Sequence, residues 1–175
     1  MATWIIDTAH SEIGFKIKHL VISTVSGKFT SFEGKLEGDP EDLTKSKISF
    51  SANIDSITTG NEQRDGHLKS TDFFDAANHP KLMFSSTAIE RKGESEYKVT
   101  GDLTIRGVTK PVTLNVEFGG IQTNLYGQTV AGFEITGKIN RQEYGLTWNA
   151  VTEAGGIVVS DDVKIAIDAE LVKQQ

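Results

Sequence analysis

The chain has 175 residues, no cysteine and a formal net charge of −6. That length suits one domain, residues 1–175, large enough to bury a sizeable core. The missing cysteine excludes disulfides, thiol catalysis and thiolate metal sites, and the acidic balance argues against a general nucleic-acid or anionic-membrane binder.

Trp4 enters an apolar pattern at once, with no basic segment and apolar stretch before it. No apolar run approaches the ~20 residues of a membrane span. The expectation is therefore a soluble, cytoplasmic domain without a transmembrane segment.

Residues 13–18 alternate, placing Phe15 and Ile17 on one side. The next run, 25–36, breaks its own parity, with Phe29 on one face and Phe32 and Leu36 on the other. A bulge or sharp bend between them would return all three to the interior. In "KISFSANIDSI", Ile48, Phe50, Ala52 and Ile54 alternate with Ser49, Ser51, Asn53 and Asp55. Such alternation marks strands with one apolar and one polar face.

The stretch "NEQRDGHLKSTDFFD", from Asn61 to Asp75, departs from this period. Thr59-Gly60-Asn61-Glu62 fits a capping box, which satisfies two orphan backbone donors at a helix start. Helical spacing then sets Arg64, His67 and Leu68 on one face and pairs Asp65 with Lys69 outside. Gly66 weakens the helix by about 1 kcal/mol relative to Ala, so it should be short. Ser70 or Thr71 would cap one further turn carrying Phe73 and Phe74.

Strand periodicity resumes at 82–89, which includes Phe84, and at 97–105, where Val99, Gly101 and Leu103 share a face. It continues through "VTLNVEF", with Val112, Leu114, Val116 and Phe118 aligned. In 130–139, Phe133, Ile135, Gly137 and Ile139 align, and "VKIAIDAEL" closes the series. About eight strands with short turn-rich links imply an antiparallel sandwich or closed barrel. Gly101 and Gly137 fall at inward parity, either as corners relieving strain or because something else occupies the space. "TIRGVTKPV" reads as a hairpin connection, with Pro111 placed where no central ladder is disturbed.

Catalytic and metal signatures are sparse. "GFEITGKI" nearly matches a phosphate loop, but Ile139 replaces the magnesium-binding hydroxyl and the segment alternates like a strand. His10, His19, His67 and His79 show no paired spacing of a zinc site, although Asp65, His67, Asp72 and Asp75 could cluster. No nucleophile elbow is present, and Asp161 and Asp162, adjacent on a strand, point to opposite faces. No metal or cofactor is expected. An eight-stranded barrel can be filled by its own side chains, a purely structural reading, or can enclose one small ligand; a long hydrocarbon held by burial gains roughly 10 kcal/mol or more at about 25 cal/mol per Å², offset by ordering costs.

Several segments together resemble the YceI-like family, described as polyisoprenoid-binding proteins. They are "WIIDTAHSEIGFKIKHL", "VSGKFTSFEG", "SITT", "RDGHLKSTDFFD", "HPKLMF", "VTGDLTIRGVTKPVTL" and "INRQEYGLTW", in order along nearly the whole chain. The resemblance implies an all-β fold, an extended eight-stranded antiparallel lipocalin-like β-barrel with a short helical crossover near residues 60–75. The residues expected to line its apolar pore are Phe15, Ile17, Phe29, Phe32, Ile48, Phe50, Ile54, Leu68, Phe73, Phe74, Phe84, Gly101, Leu103, Leu114, Val116, Phe133, Ile135, Gly137, Ile139 and Trp148. Arg64, His67, Arg106, Lys110 and Arg141 would stand at the mouth or meet a head group. The implied function is non-enzymatic binding, storage or transport of a long isoprenoid, such as a polyprenyl phosphate or isoprenoid quinone, with homodimerisation implied by resemblance alone. The alternative is an enzyme acting on an apolar molecule in the same pore, with His67 or His10 as acid–base.

Overall fold

The structure, a computed structural model, describes residues 2–149 and 158–175. In chain order its elements are β1 (Thr3–Ile6), β2 (Glu12–His19), β3 (Ser23–Phe29), β4 (Phe32–Asp39), β5 (Asp42–Asn53) and β6 (Ile57–Thr58). Then follow the helix α1 (Glu62–Lys69), β7 (Lys81–Arg91), β8 (Glu96–Ile105), β9 (Val108–Thr123), β10 (Thr129–Asn140) and β11 (Val159–Lys173). Every strand pairing is antiparallel. Hydrogen bonding runs β1–β4–β5–β7–β8–β9–β10–β11, and β11 returns to β1, which closes the sheet.

The barrel has eight walls because three of them are built from two strands each. β11 pairs with β2 around Ile165↔Phe15 and with β1 at Ile6↔Leu171, so β1 and β2 form one wall. β3 and β4 form the next, facing β6 and β5 respectively. The expected parity switch falls between Phe29 and Phe32. β3 stops at Phe29, β4 starts at Phe32, and both rings are buried. Asp7 makes the matching break in the first wall, its Oδ1 accepting the Ala9 N–H at 2.9 Å. β1 itself escapes an alternation search because "TWII" is too short and too uniformly apolar to show a period.

One end of the barrel is closely packed around the inner end of the lining, which Leu36, Leu43 and Leu171 reach. Trp4, Leu43, Tyr97 and Ala131 are almost wholly buried there, and the Tyr97 hydroxyl donates to the Glu41 carbonyl at 3.1 Å. The crossover between β6 and β7 lies over the opposite end, where α1 begins. Its cap differs from the expected box. Asn61, not Thr59, caps the helix, its side chain accepting the Arg64 N–H at 3.0 Å. Asp65 turns back rather than pairing with Lys69, and accepts from the Thr59 N–H and hydroxyl at 2.8 and 2.6 Å. A carboxylate that can serve two nearby neutral donors gains more than an exposed i,i+4 ion pair offers.

The β8–β9 connection is the expected hairpin, with Arg106 and Gly107 both left-handed at φ 52° and 73°. Pro111 pairs with Asp102 on one side and lies beyond the last residue that β9 pairs with β10, Asn115, so no ladder lacks its donor. The phosphate-loop look-alike is the interior of β10. Among the described residues, no helix is long and apolar enough to cross a membrane.

Candidate ligand-binding cavity

Because alternate residues of every wall turn inward, the barrel interior is apolar throughout its length. It is not filled. A cavity of about 640 Å³ runs through it, within the size range typical of small-molecule pockets. Phe15, Ile17 and Phe29 line it from the first two walls, and Ile48 and Phe50 from β5. Phe84, Leu103, Leu114 and Val116 continue the lining across β7, β8 and β9. Phe133, Ile135 and Ile139 complete it on β10, with Leu68, Phe73, Phe74 and Trp148 contributed by the crossover and the segment after β10.

Four expected pore residues do not reach it. Phe32 and Ile54 are buried behind the lining, Phe32 packing on Phe50 with ring centroids 6.2 Å apart and Ile54 donating its N–H to the Pro80 carbonyl. Gly101 and Gly137 are covered rather than empty. A Cβ at Gly101 would meet the Phe84 ring and the Ser85 carbonyl, and one at Gly137 would meet Cδ2 of Leu114. The space above each glycine is taken by a neighbouring side chain of the same wall pair, not left for a ligand. Conversely, Val163, Ile165, Ile167, Ala169 and Leu171 of β11 all line the cavity. Their alternation was legible, but nothing in it distinguishes a cavity wall from a filled core.

Polar lining residues gather at the end covered by α1: Lys18 and His19 from β2, and Thr59, Asn61, Gln63 and Arg64 from the crossover. An aromatic cluster stands beside them. The His67 ring meets Trp148 edge-on at 4.7 Å and Phe73 at 5.1 Å, while Nε2 of His67 lies 2.8 Å from Asp72. Phe74 packs edge-on against Phe29 at 6.3 Å, closing the lining beneath the crossover.

The arginines expected at the mouth are occupied by the protein's own backbone. Arg141 is only 3% exposed, and its guanidinium donates to the carbonyls of Leu146, Trp148, Val159 and Ser160 at 2.6–3.2 Å. Burial lowers its pKa from the ordinary arginine value, and Asp161, 3.7 Å away, opposes the shift. Arg106 lies outside the lining and donates to the carbonyls of Phe73 and Gly145, both at 3.0 Å, tying the crossover to the β8–β9 turn. Arg64 donates to the Thr59 hydroxyl and carbonyl at 2.7 Å. Lys110 shares the inward parity of Val112 but is exposed and outside the lining. Tyr144 lines the cavity wall; burial pushes its phenol up to about 12, and its hydroxyl has no hydrogen-bond partner among the described residues.

His10 lies outside the cavity lining. Its Nδ1 is 2.7 Å from Asp7 and 3.4 Å from Glu170, and these three are the grouping with metal-ligating atoms within 4.8 Å of one another among the described residues. Asp65, His67, Asp72 and Asp75 do not form such a group; Asp75 is engaged with Asn78 instead.

The chemistry available inside the cavity is thus mainly burial, with most hydrogen-bonding groups at the end covered by α1 and Lys35 and Ser49 of β4 and β5 the exceptions. The family model for the YceI-like domain matches residues 4–171. A UPF0312 protein of Staphylococcus epidermidis is 44% identical over 165 residues, covering 94% of each chain. Among solved structures, the YceI protein of Campylobacter jejuni superposes with a TM-score of 0.78 at 35% identity, covering 97% of this chain and 96% of that one. A polyisoprenoid binding domain from Saccharophagus degradans shares the fold, with a TM-score of 0.67, 16% identity and 98% coverage of both chains.

Proposed function

Since the chain belongs to the YceI-like family, we propose that its barrel binds, stores or carries a long isoprenoid-type lipid without chemically altering it. The observation that carries this reading is the 640 Å³ cavity lined on every wall by aliphatic and aromatic side chains. Natural cores are close-packed, with few voids larger than a water molecule, so an apolar cavity of this size points to an occupant. The occupant should be long and flexible, because the lining runs along the barrel from Leu171 and Leu36 to Ile139 and Trp148. The polyisoprenoid-binding domain with the same fold supports an isoprenoid as its class. A polyprenyl phosphate and an isoprenoid quinone both suit the tail; Arg141 and Arg106 are committed to backbone carbonyls, while Lys18 and Arg64 stand in the lining near a head group.

Organic extraction of the purified protein, followed by mass spectrometry, tests this reading. One isoprenoid per chain is expected. Extracts free of lipid, together with no change in tryptophan emission on adding geranylgeraniol, would overturn it.

One observation favours a second reading. His67 lines the cavity with a carboxylate, Asp72, 2.8 Å from its Nε2, an arrangement that can move a proton. An enzyme acting in the pore through His67 would turn over an apolar substrate and lose turnover in His67→Ala while keeping affinity. His10 has no comparable access to the pore.

A further inference from the structure

The β2–β3 hairpin turns through Leu20, Val21 and Ile22, with the Ile22 N–H reaching the His19 carbonyl at 3.3 Å. Leu20 and Val21 are both left-handed, at φ 53° and 66°. Two successive left-handed positions in a tight hairpin turn are normally filled by Asn-Gly or Asp-Gly, because L-residues, and β-branched ones above all, are disfavoured at positive φ. Here the disfavoured positions carry aliphatic side chains, and these point to solvent: Leu20, Val21 and Ile22 are 39%, 72% and 84% exposed. Neither local conformation nor core packing accounts for that choice.

The tip sits at the mouth. Lys18 and His19, at the root of the hairpin, line the cavity, as do Val158 and Val159, and the Leu20 N–H donates to the Val158 carbonyl at 2.9 Å. On the outer face beside it, Lys138, Lys164 and Lys16 stand in register across β10, β11 and β2, all three exposed. Like charges directly opposite one another destabilise a sheet. Asp162 partly offsets Lys138 at 3.5 Å and Asp161 is engaged with Arg141 and Gln142, so among the described residues Lys16 and Lys164 have no carboxylate within ion-pair distance. Four residues further from the mouth, roughly 13 Å at strand rise, the same face reverses sign, with Glu117, Glu134, Asp168 and Glu12 in one row. The −6 of the whole chain therefore hides a barrel that is basic beside its mouth and acidic further along.

We infer that the Leu20–Val21–Ile22 tip and the Lys16–Lys164–Lys138 row form a docking surface for an anionic lipid bilayer, setting the pore mouth against the membrane. Apolar side chains enter the acyl boundary while the lysines meet the anionic headgroups, the two contributions that hold peripheral proteins at a membrane. A carrier docked this way exchanges its lipid without passing an apolar chain through water. That purpose rests on the carrier reading above; the docking itself does not.

The test is co-sedimentation of the full chain with extruded vesicles of phosphatidylcholine alone, or of phosphatidylcholine and phosphatidylglycerol in equal parts, at low salt. Wild type should bind the mixed vesicles and leave the neutral ones. The double variant Leu20→Asn, Val21→Gly installs the favoured turn, so it should fold at least as well, yet bind the mixed vesicles at least tenfold more weakly. Lys16→Gln with Lys164→Gln should also lose more than tenfold, at about fivefold per surface lysine. The built-in control is the β9–β10 turn at the far end, where Leu125 and Tyr126 are barer still; Leu125→Ser with Tyr126→Ser should bind like wild type. Equal binding by the Asn-Gly variant, no binding by wild type, or indifference to phosphatidylglycerol would each overturn the proposal. So would a wild-type dimer that the Asn-Gly variant dissolves, with no vesicle binding by either. The change in tryptophan emission on adding geranylgeraniol without vesicles, followed on the same proteins, separates the two readings. Vesicle docking with no such change sinks the carrier and leaves the docking; a change without docking does the reverse.

Discussion

The Phe84 ring lies over Gly101, occupying the position that a Cβ on Gly101 would need. The same arrangement recurs where Phe15 covers Gly27, its direct partner across β2 and β3. Glycines seating aromatic rings are a recognised device for bending a sheet into a barrel. Gly101→Ala must displace both the Phe84 ring and the Ser85 carbonyl, and the backbone atom cannot swing aside. It should lower stability by about 1–3 kcal/mol in urea denaturation. Gly66 is the counter-case, in α1, where a Cβ would point into open space and φ is not positive. Gly66→Ala should stabilise by about 0.5–1 kcal/mol. A Gly101→Ala protein as stable as wild type would show that the ring is not seated there.

Arg141 holds the segment after β10 against β11 through carbonyls of both. Removing a buried charge together with its bonds takes a donor from each of those carbonyls, at about 1–3 kcal/mol for each group left truly desolvated, although the Val159 carbonyl keeps the Asn149 side-chain amide at 2.7 Å. Arg141→Met should therefore cost about 3 kcal/mol or more. Any loss of lipid affinity should be the same for an isoprenoid phosphate and its alcohol. A stable Arg141→Met protein that loses only the phosphate would reassign Arg141 to the head group.

Most of the barrel could be read from the chain because a period of two is a one-dimensional signal, and the parity break between Phe29 and Phe32 even located a bend. The helix cap was less legible. Thr59 and Asn61 are both good caps, and only the return of Asp65 to Thr59 decides between them. The glycines show where sequence stops: parity says that Gly101 and Gly137 face inward, but not that Phe84 and Leu114 cover them. Arg141 and Arg106 carry the same ambiguity. A guanidinium near a mouth serves an anion or a carbonyl equally well until the backbone around it is placed.

His10 offers a test of the break between β1 and β2. Its hydrogen bond to Asp7, helped by the charges of Asp7 and Glu170, raises its pKa above 6.5. A raised folded-state pKa means stabilisation fully present below pH 6.5 and lost as pH rises through the folded value. Asp7 is shifted the other way, below 3.8, chiefly by His10, so its share is present above 3.8 and lost as pH falls through the lowered value. In an NMR titration the His10 midpoint should lie above 6.5 and fall in Asp7→Asn. An unchanged midpoint in that variant would remove Asp7 as the cause.

Filling the cavity from within separates an open pore from a packed core. Ile135 lines the cavity on β10 and is half-buried, so part of its surface faces free volume. In a close-packed interior, Ile135→Trp would overpack and cost about 1–3 kcal/mol. Beside a 640 Å³ void the indole has room to enter, so the lipid-free variant should stay within about 1 kcal/mol of wild type. Its affinity for geranylgeraniol should fall by about tenfold or more, a loss of roughly 1.4 kcal/mol. Ala131→Leu supplies the contrast, since Ala131 is fully buried and outside the lining. It should lose stability by overpacking while any folded fraction keeps its affinity. Both quantities have to be measured on both variants, because an unfolded protein also fails to bind. If Ile135→Trp is as destabilised as Ala131→Leu, the interior at Ile135 is packed. If it folds well and binds as tightly as wild type, the ligand lies elsewhere.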